Sequence, residues 1–169
     1  MSERTVLSFP IGRQRFNYRV AGIAIREGHV LICREDEDDY AMLPGGRVEL
    51  GEPSATALAR EMAEELALPV GIGPLLFTSE SFYEREGQLF HEIGFFYRLD
   101  LPEGMGPDGQ DPWLVREDEG HLLQFSWVPV SGEALAYRRL LPAWLQKRLG
   151  NLPETVEHVV FDERSPPLG

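Results

Sequence analysis

The stretch that most constrains this chain is Leu43 to Leu68, LPGGRVELGEPSATALAREMAEELAL. At ~100° per residue, Ala55, Leu58, Met62 and Leu66 fall within one narrow stripe, which predicts a helix over about 55–66. Pro53 and Ser54 suit its start, with Ser54 the expected N-cap. Glu61, Glu64 and Glu65 fall together on the adjoining arc, where spacings of three and four residues make them neighbours. Two carboxylates ~4 Å apart repel by ~1 kcal/mol in water and by ~4 kcal/mol at an effective dielectric near 20. With Glu49 and Glu52 in the preceding loop, such a cluster sits uneasily on a bare fold. Arg60 relieves part of it through Glu64; a divalent cation relieves more. Magnesium suits carboxylate clusters while keeping several water ligands, and manganese is the alternative. Before the helix, Gly45-Gly46 lets the backbone approach a ligand without a shielding Cβ.

Taken together, Gly46, Glu52, Arg60, Glu61, Met62, Glu64, Glu65, Ala67 and Leu68 resemble the Nudix box. That pattern runs Gly, five residues, Glu, seven residues, Arg-Glu, an apolar residue, any residue, Glu-Glu, any residue, Gly, apolar. Every charged position is matched over these 23 residues. Ala67 departs, standing where the family has Gly. A left-handed turn there costs a non-glycine roughly 1 kcal/mol or more, and Pro69 still stops the helix. The flanks fit too, with a leading hairpin, LPGG entering the box and SWVPV at 126–130 before the C-terminal helical part.

The resemblance implies a Nudix-type α/β/α sandwich, a mixed β-sheet flanked by helices. It also implies hydrolysis of a nucleoside diphosphate linked to another group, by attack of water at phosphorus. Carried over by position, Glu61, Glu64 and Glu65 bind magnesium with the Gly45 carbonyl, Arg60 orients the glutamates, and Glu52 sits near a metal-bound water or the helix start. The general base varies within the family and stays open. Glu119, in the Arg116 to Gly120 loop before SWVPV, is a further candidate ligand or base. Glu92 shares a strand face with Phe90, Gly94 and Phe96, and Glu80 is expected opposite it across a hairpin; both are candidate substrate residues. Nucleoside triphosphates, ADP-ribose and nucleotide sugars all remain open as substrates. A homodimer is the family's common assembly. Two other readings are a catalytically silent ligand-binding or regulatory Nudix module and an unrelated α/β protein with a chance box.

The rest of the chain sets the frame. One domain over 1–169 is expected, with loose termini at about 1–15 and 163–169, including the tail SPPLG. YRVAGIAIR (18–26) and HVLICR (29–34), joined at Glu27-Gly28, read as a hairpin, and 75–84 with 88–101 as a second. The acidic run Glu35 to Asp39 reads as a solvated loop, and residues 102–112 as a Gly/Pro-rich loop. A strand follows at 123–130, then helical segments at about 131–138 and 142–149 capped by Gly150, and an edge strand at 156–162. Twenty-eight acidic against 16 basic residues, a net charge of −12, argue against a nucleic-acid polymer as partner. They leave room for a small nucleotide-type substrate whose phosphates a cation neutralises. The lone Cys33 rules out an intrachain disulfide and reads as packing. The absence of a signal pattern or a ~20-residue apolar span predicts a cytoplasmic protein without membrane contact. Trp113, Trp127 and Trp144 read as core or lid residues, and the histidines show no ligand-like spacing.

Overall fold

Three Glu-Gly pairs turn the chain. Both residues have positive φ at Glu27-Gly28 (50°, 72°), Glu86-Gly87 (51°, 75°) and Glu119-Gly120 (48°, 84°), the signature of the type I′ turn that matches strand twist. A computed structural model describes residues 4–164; the tail Ser165 to Gly169 lies outside the described residues. Its elements are β1 (Ser8–Ile11), β2 (Gln14–Ile23), β3 (Ile25–Arg26), β4 (His29–Glu35), β5 (Ala41–Met42), β6 (Gly45–Arg47) and α1 (Ser54–Glu65). Then come β7 (Gly71–Arg85), β8 (Gln88–Asp100), β9 (Leu114–Asp118), β10 (His121–Pro129), α2 (Gly132–Tyr137), β11 (Leu140–Leu141), a 3₁₀ turn (Ala143–Lys147) and β12 (Glu157–Asp162).

The single mixed sheet expected from the sequence is two. One six-stranded sheet runs β1-β2-β8-β7-β12 with β6 on β2; the other runs β11-β5-β4-β10-β9 with β3 on β4. Both are mixed, since β2–β8, β7–β12 and β5–β11 pair parallel. The expected strand 18–26 divides at Ala24: β2 pairs with β8, and only Ile25–Arg26 folds back on β4.

Side-chain alternation on β4 shows how the layers form. Val30 and Ile32 enter one core with Phe77, Phe96, Trp144 and Leu145, covered by α2 and the 3₁₀ turn. Leu31 enters a second core with Leu58, Met62, Leu66 and Phe125, where α1 packs. Strands buried on both faces explain the unbroken apolar runs in the sequence. Each fully buried Leu or Met contributes about 1.5–3 kcal/mol. The result is an α/β sandwich. The second hairpin, the irregular loop at 102–112 and the edge strand β12 match their expectations.

Several local expectations are corrected. The segment 8–15 is not loose: β1 pairs with β2 in register Ser8↔Asn17, a contact made through local hairpin geometry that its mixed polarity hides. Ser54 does not cap α1; Pro53 is the N-cap residue, and Ser54 Oγ instead lies 2.6 Å from Tyr97 Oη, tying the helix to β8. Ala55 is half-exposed, while Ala57, on the other side of the helix, is fully buried. The C-terminal helical turn ends at Arg148 and not at Gly150. Arg116 to Asp118 belong to β9, which continues as a hairpin into β10. Among the described residues no helix is long and apolar enough to cross a membrane.

Candidate active site

Around α1, Glu61 and Glu65 fall between Ala57 and Leu58, both fully buried, so the arc carrying these glutamates is turned inward. Glu65 is only 9% exposed. Burial pushes its carboxyl up to about 8, with the charges of Glu61 and Asp118 adding to the rise and Arg19 and a Gly45 backbone hydrogen bond opposing it. Burial also raises Glu61, against the pull of Arg60. Glu64 is partly exposed at the same edge.

Arg60 organises the loop against the helix. Its Nε and Nη2 donate to the two oxygens of Glu52 at 2.9 and 3.0 Å, its Nη1 donates to Glu61 Oε1 at 2.9 Å, and Nη2 also reaches the Arg47 carbonyl at 3.1 Å. The i,i+4 approach to Glu64 is longer, 3.6 Å, so relief of repulsion goes chiefly to Glu52 and Glu61. Glu52 accepts in addition from the Glu49 amide at 3.0 Å, and the Arg60 fork holds it below the usual carboxylate range. Each glycine of the pair answers to a contact. A Cβ on Gly45 would lie 2.1 Å from the Val20 carbonyl oxygen, and one on Gly46 would lie 2.2 Å from Glu61 Cδ. Gly46 is thus the hole in which the Glu61 carboxylate rests.

Carboxylates outnumber guanidinium groups in this oxygen-rich set: Arg4 pairs with Glu64 and Glu49, and Arg60 with Glu52, Glu61 and Glu49, which leaves the desolvated Glu65 without an ion pair among the described residues and the set short of positive charge. A hard divalent cation fits it. These groups line a cavity of about 540 Å³ that continues past Arg19 to Asn17, Tyr40, Tyr83 and Glu92.

The structure brings Gly45, Glu61, Glu64, Glu65 and Arg60 to this cavity, with Glu52 held behind Arg60. Glu119 is exposed at the tip of the β9–β10 turn and reaches only the mouth, whereas its neighbour Asp118 bears on Glu65. Glu92 is 8% exposed and lines the far end. Glu80 is not opposite Glu92: the β7–β8 register pairs Glu80 with Ile93 and Ser81 with Glu92. A two-residue turn sets that register, and one step along a strand changes the face. Glu80 Oε2 accordingly meets His158 Nε2 at 2.9 Å on the other side of the sheet.

Sequence reasoning missed Asp118, Arg19, Asn17 and Tyr83, which come from strands distant in sequence. It also set aside His121, whose Nδ1 lies 2.8 Å from Asp36 and 3.1 Å from Glu35 in an exposed cluster at the rim. Cys33 packs as expected; burial raises its thiol well above the usual range. The three tryptophans belong to the two cores, Trp144 lying 5.2 Å from both Phe77 and Phe96, and Trp113 lying 5.8 Å from Trp127.

A sequence model of the NUDIX domain matches residues 16–144, most of the described chain. The chain belongs to the Nudix family. A curated relative is YjhB of Bacillus subtilis (strain 168), provisionally named an ADP-ribose pyrophosphatase, at 30% identity over 91 residues. That match spans 53% of this chain and 44% of the relative, so the chain covers less than half the relative's length. Among solved structures, a MutT protein from Bacillus halodurans superposes with a TM-score of 0.56 at 14% identity, over 86% of this chain and 89% of that one. A NUDIX hydrolase from Nitrosomonas europaea does so at 0.55 and 18% identity, over 87% and 79%. Both likenesses concern the fold.

Within this Nudix chain the one departure from the box, Ala67, takes a left-handed backbone with φ 52°, the conformation for which the family pattern has glycine. The exit turn is kept at the expense of local strain.

Proposed function

We propose that this Nudix chain is a magnesium-dependent pyrophosphohydrolase that sends water to the phosphoanhydride of a nucleoside diphosphate linked to a second group. The observation that supports it best is the burial of Glu65 and the partial desolvation of Glu61 on the inward arc of α1, beside the Gly45-Gly46 backbone in one cavity. A fold has no use for such carboxylates unless a cation meets them.

In this reading Glu61, Glu64, Glu65 and the Gly45 carbonyl hold the cation. Magnesium supplies charge neutralisation for the diphosphate and a more acidic water. Arg60 fixes the Glu61 carboxylate through Nη1 while its remaining edge clamps Glu52, so the donor set is arranged before substrate arrives. Glu52, fully engaged by Arg60 and the Glu49 amide, acts as a positioning residue. The buried flank of α1 keeps bulk water from one side of the diphosphate, which strengthens these electrostatic effects.

The test is a magnesium titration of purified protein against a panel of nucleoside triphosphates, ADP-ribose and nucleotide sugars, with products identified in oxygen-18 water. ADP-ribose heads the panel because of the name YjhB carries. Magnesium-dependent release of a nucleoside monophosphate, reduced at least ~100-fold by Glu65→Gln, is expected. No hydrolysis of any member would overturn the reading and leave a ligand-binding module.

A further inference from the structure

The cavity has a further buried carboxylate, Glu92, whose surroundings the metal chemistry does not use. Asn17, Glu92 and Ser81 form one row across β2, β8 and β7, in register Asn17↔Glu92 and Ser81↔Glu92, at 2%, 8% and 2% exposure. Polar side chains at such depth are costly to a fold that gains nothing from them. A relay holds Glu92 still. Arg15 Nη1 donates to Ser8 Oγ at 3.0 Å, Ser8 Oγ donates to Asn17 Oδ1 at 2.6 Å, and Asn17 Nδ2 faces Glu92 Oε2 at 3.4 Å. Tyr83 Oη donates to the same oxygen at 3.2 Å.

Both of these contacts fall on Oε2. Oε1 has no hydrogen-bond partner among the described residues, and Glu92 lines the cavity that also holds Glu61 and Glu65. Beside it stands an aromatic wall. Tyr83 and Phe90 stack at 4.9 Å and 3°, and the Arg85 guanidinium lies 4.4 Å over the Tyr40 ring with Nη1 donating to Tyr40 Oη at 2.7 Å. A flat π-surface next to a fixed, free carboxylate oxygen is a recognition site for a planar ring bearing N–H donors.

We propose that Glu92 reads the base of the substrate by accepting a hydrogen bond from an exocyclic amino group, so that the site selects nucleotides of amino-bearing bases. The inference rests on the nucleotide reading of the preceding section. Uracil and hypoxanthine place carbonyl oxygens beside their ring N–H, and a carboxylate repels those oxygens. Adenine, guanine and cytosine present an amino group. Glu92 is therefore a specificity residue, and Asn17, Ser8 and Tyr83 are positioning residues acting through it. The strand β1, outside the box and mostly exposed, then has a purpose: it carries the serine that orients Asn17.

Non-hydrolysable α,β-methylene diphosphates test this by calorimetry with magnesium present. Two matched pairs probe the amino group: adenosine against purine riboside, which simply lacks it, and cytidine against uridine, which carries a carbonyl in its place. The native protein is expected to favour the amino-bearing member of each pair on the order of tenfold or more. In Glu92→Gln and Glu92→Leu the preference should shrink to about twofold or less, with far-UV circular dichroism unchanged. Asn17→Ala should give an intermediate loss. Equal native affinity within both pairs, or a preference that survives both Glu92 substitutions, overturns the proposal. The Glu65→Gln hydrolysis assay reports separately on the pyrophosphohydrolase reading. Hydrolysis lost with Glu65 but base preference indifferent to Glu92 would sink this inference alone.

Discussion

Glu65→Gln should stabilise the metal-free protein at high pH while abolishing its activity. Glu65 is raised from 4.5 to about 8, with burial the largest cause. At ~1.36 kcal/mol per pH unit, that displacement corresponds to about 5 kcal/mol between the two protonation states. The sign follows from linkage. Below pH 4.5 folded and unfolded chains both hold the proton, and no penalty exists. Between about 4.5 and 8 the folded chain keeps a proton that the unfolded chain has released, so stability falls as pH rises. Above 8 the full penalty stands, with about 5 kcal/mol as its upper bound. Glutamine keeps the shape and the Gly45 contact without the charge. Thermal melts in chelator from pH 5 to 9 should show the native midpoint falling, by about 2–4 °C for each kcal/mol. The variant curve should be flatter and lie above the native one at pH 9. Magnesium should raise the native midpoint at pH 8 and leave the variant nearly unmoved. A variant that melts below native at pH 9 without metal would refute this account and make the carboxylate a structural anchor.

Three further outcomes are expected. Gly46→Ala should fold with native circular dichroism, because the 2.2 Å clash is with the movable end of Glu61, yet its magnesium affinity should fall at least about tenfold by calorimetry as that carboxylate is driven from its hole. Arg60→Lys should lower stability by about 2–3 kcal/mol in urea titration, since an ammonium cannot hold both Glu52 oxygens and Glu61 at once, and should cut kcat more than it raises KM. Ala67→Gly should raise stability by up to about 1 kcal/mol by relieving the left-handed strain, less the entropy glycine adds to the unfolded chain, with kcat unchanged.

Much of this architecture was legible because its signals are short-range. The box reads in one glance, and the Glu27-Gly28 turn announces its hairpin. The same two-residue signal at Glu119-Gly120 announces β9 and β10, and reading Arg116 to Gly120 as loop overlooked it. Counting back from the Arg85↔Gln88 pair also places Ser81, not Glu80, across from Glu92. What no local pattern carries is the gathering of Asn17, Arg19, Tyr83 and Asp118 onto one cavity, because β2–β8 pairing joins residues far apart in the chain.

The depth of the glutamates is the point where the helix alone misleads. Read from the apolar stripe of Leu58, Met62 and Leu66, the arc of Glu61 and Glu65 borders a solvated face. Ala57 alters that, because its small side chain lets the far flank of α1 also enter the second core, and the arc between is drawn in. The two flanks divide the labour. Leu58 and Met62 supply the burial that keeps α1 docked, and that docking holds Glu61 and Glu65 where each would be more stable in water. The free energy missing from the bare fold at neutral pH is then the free energy a cation recovers on binding, so metal affinity and apo instability should rise together with pH through the Glu65 transition.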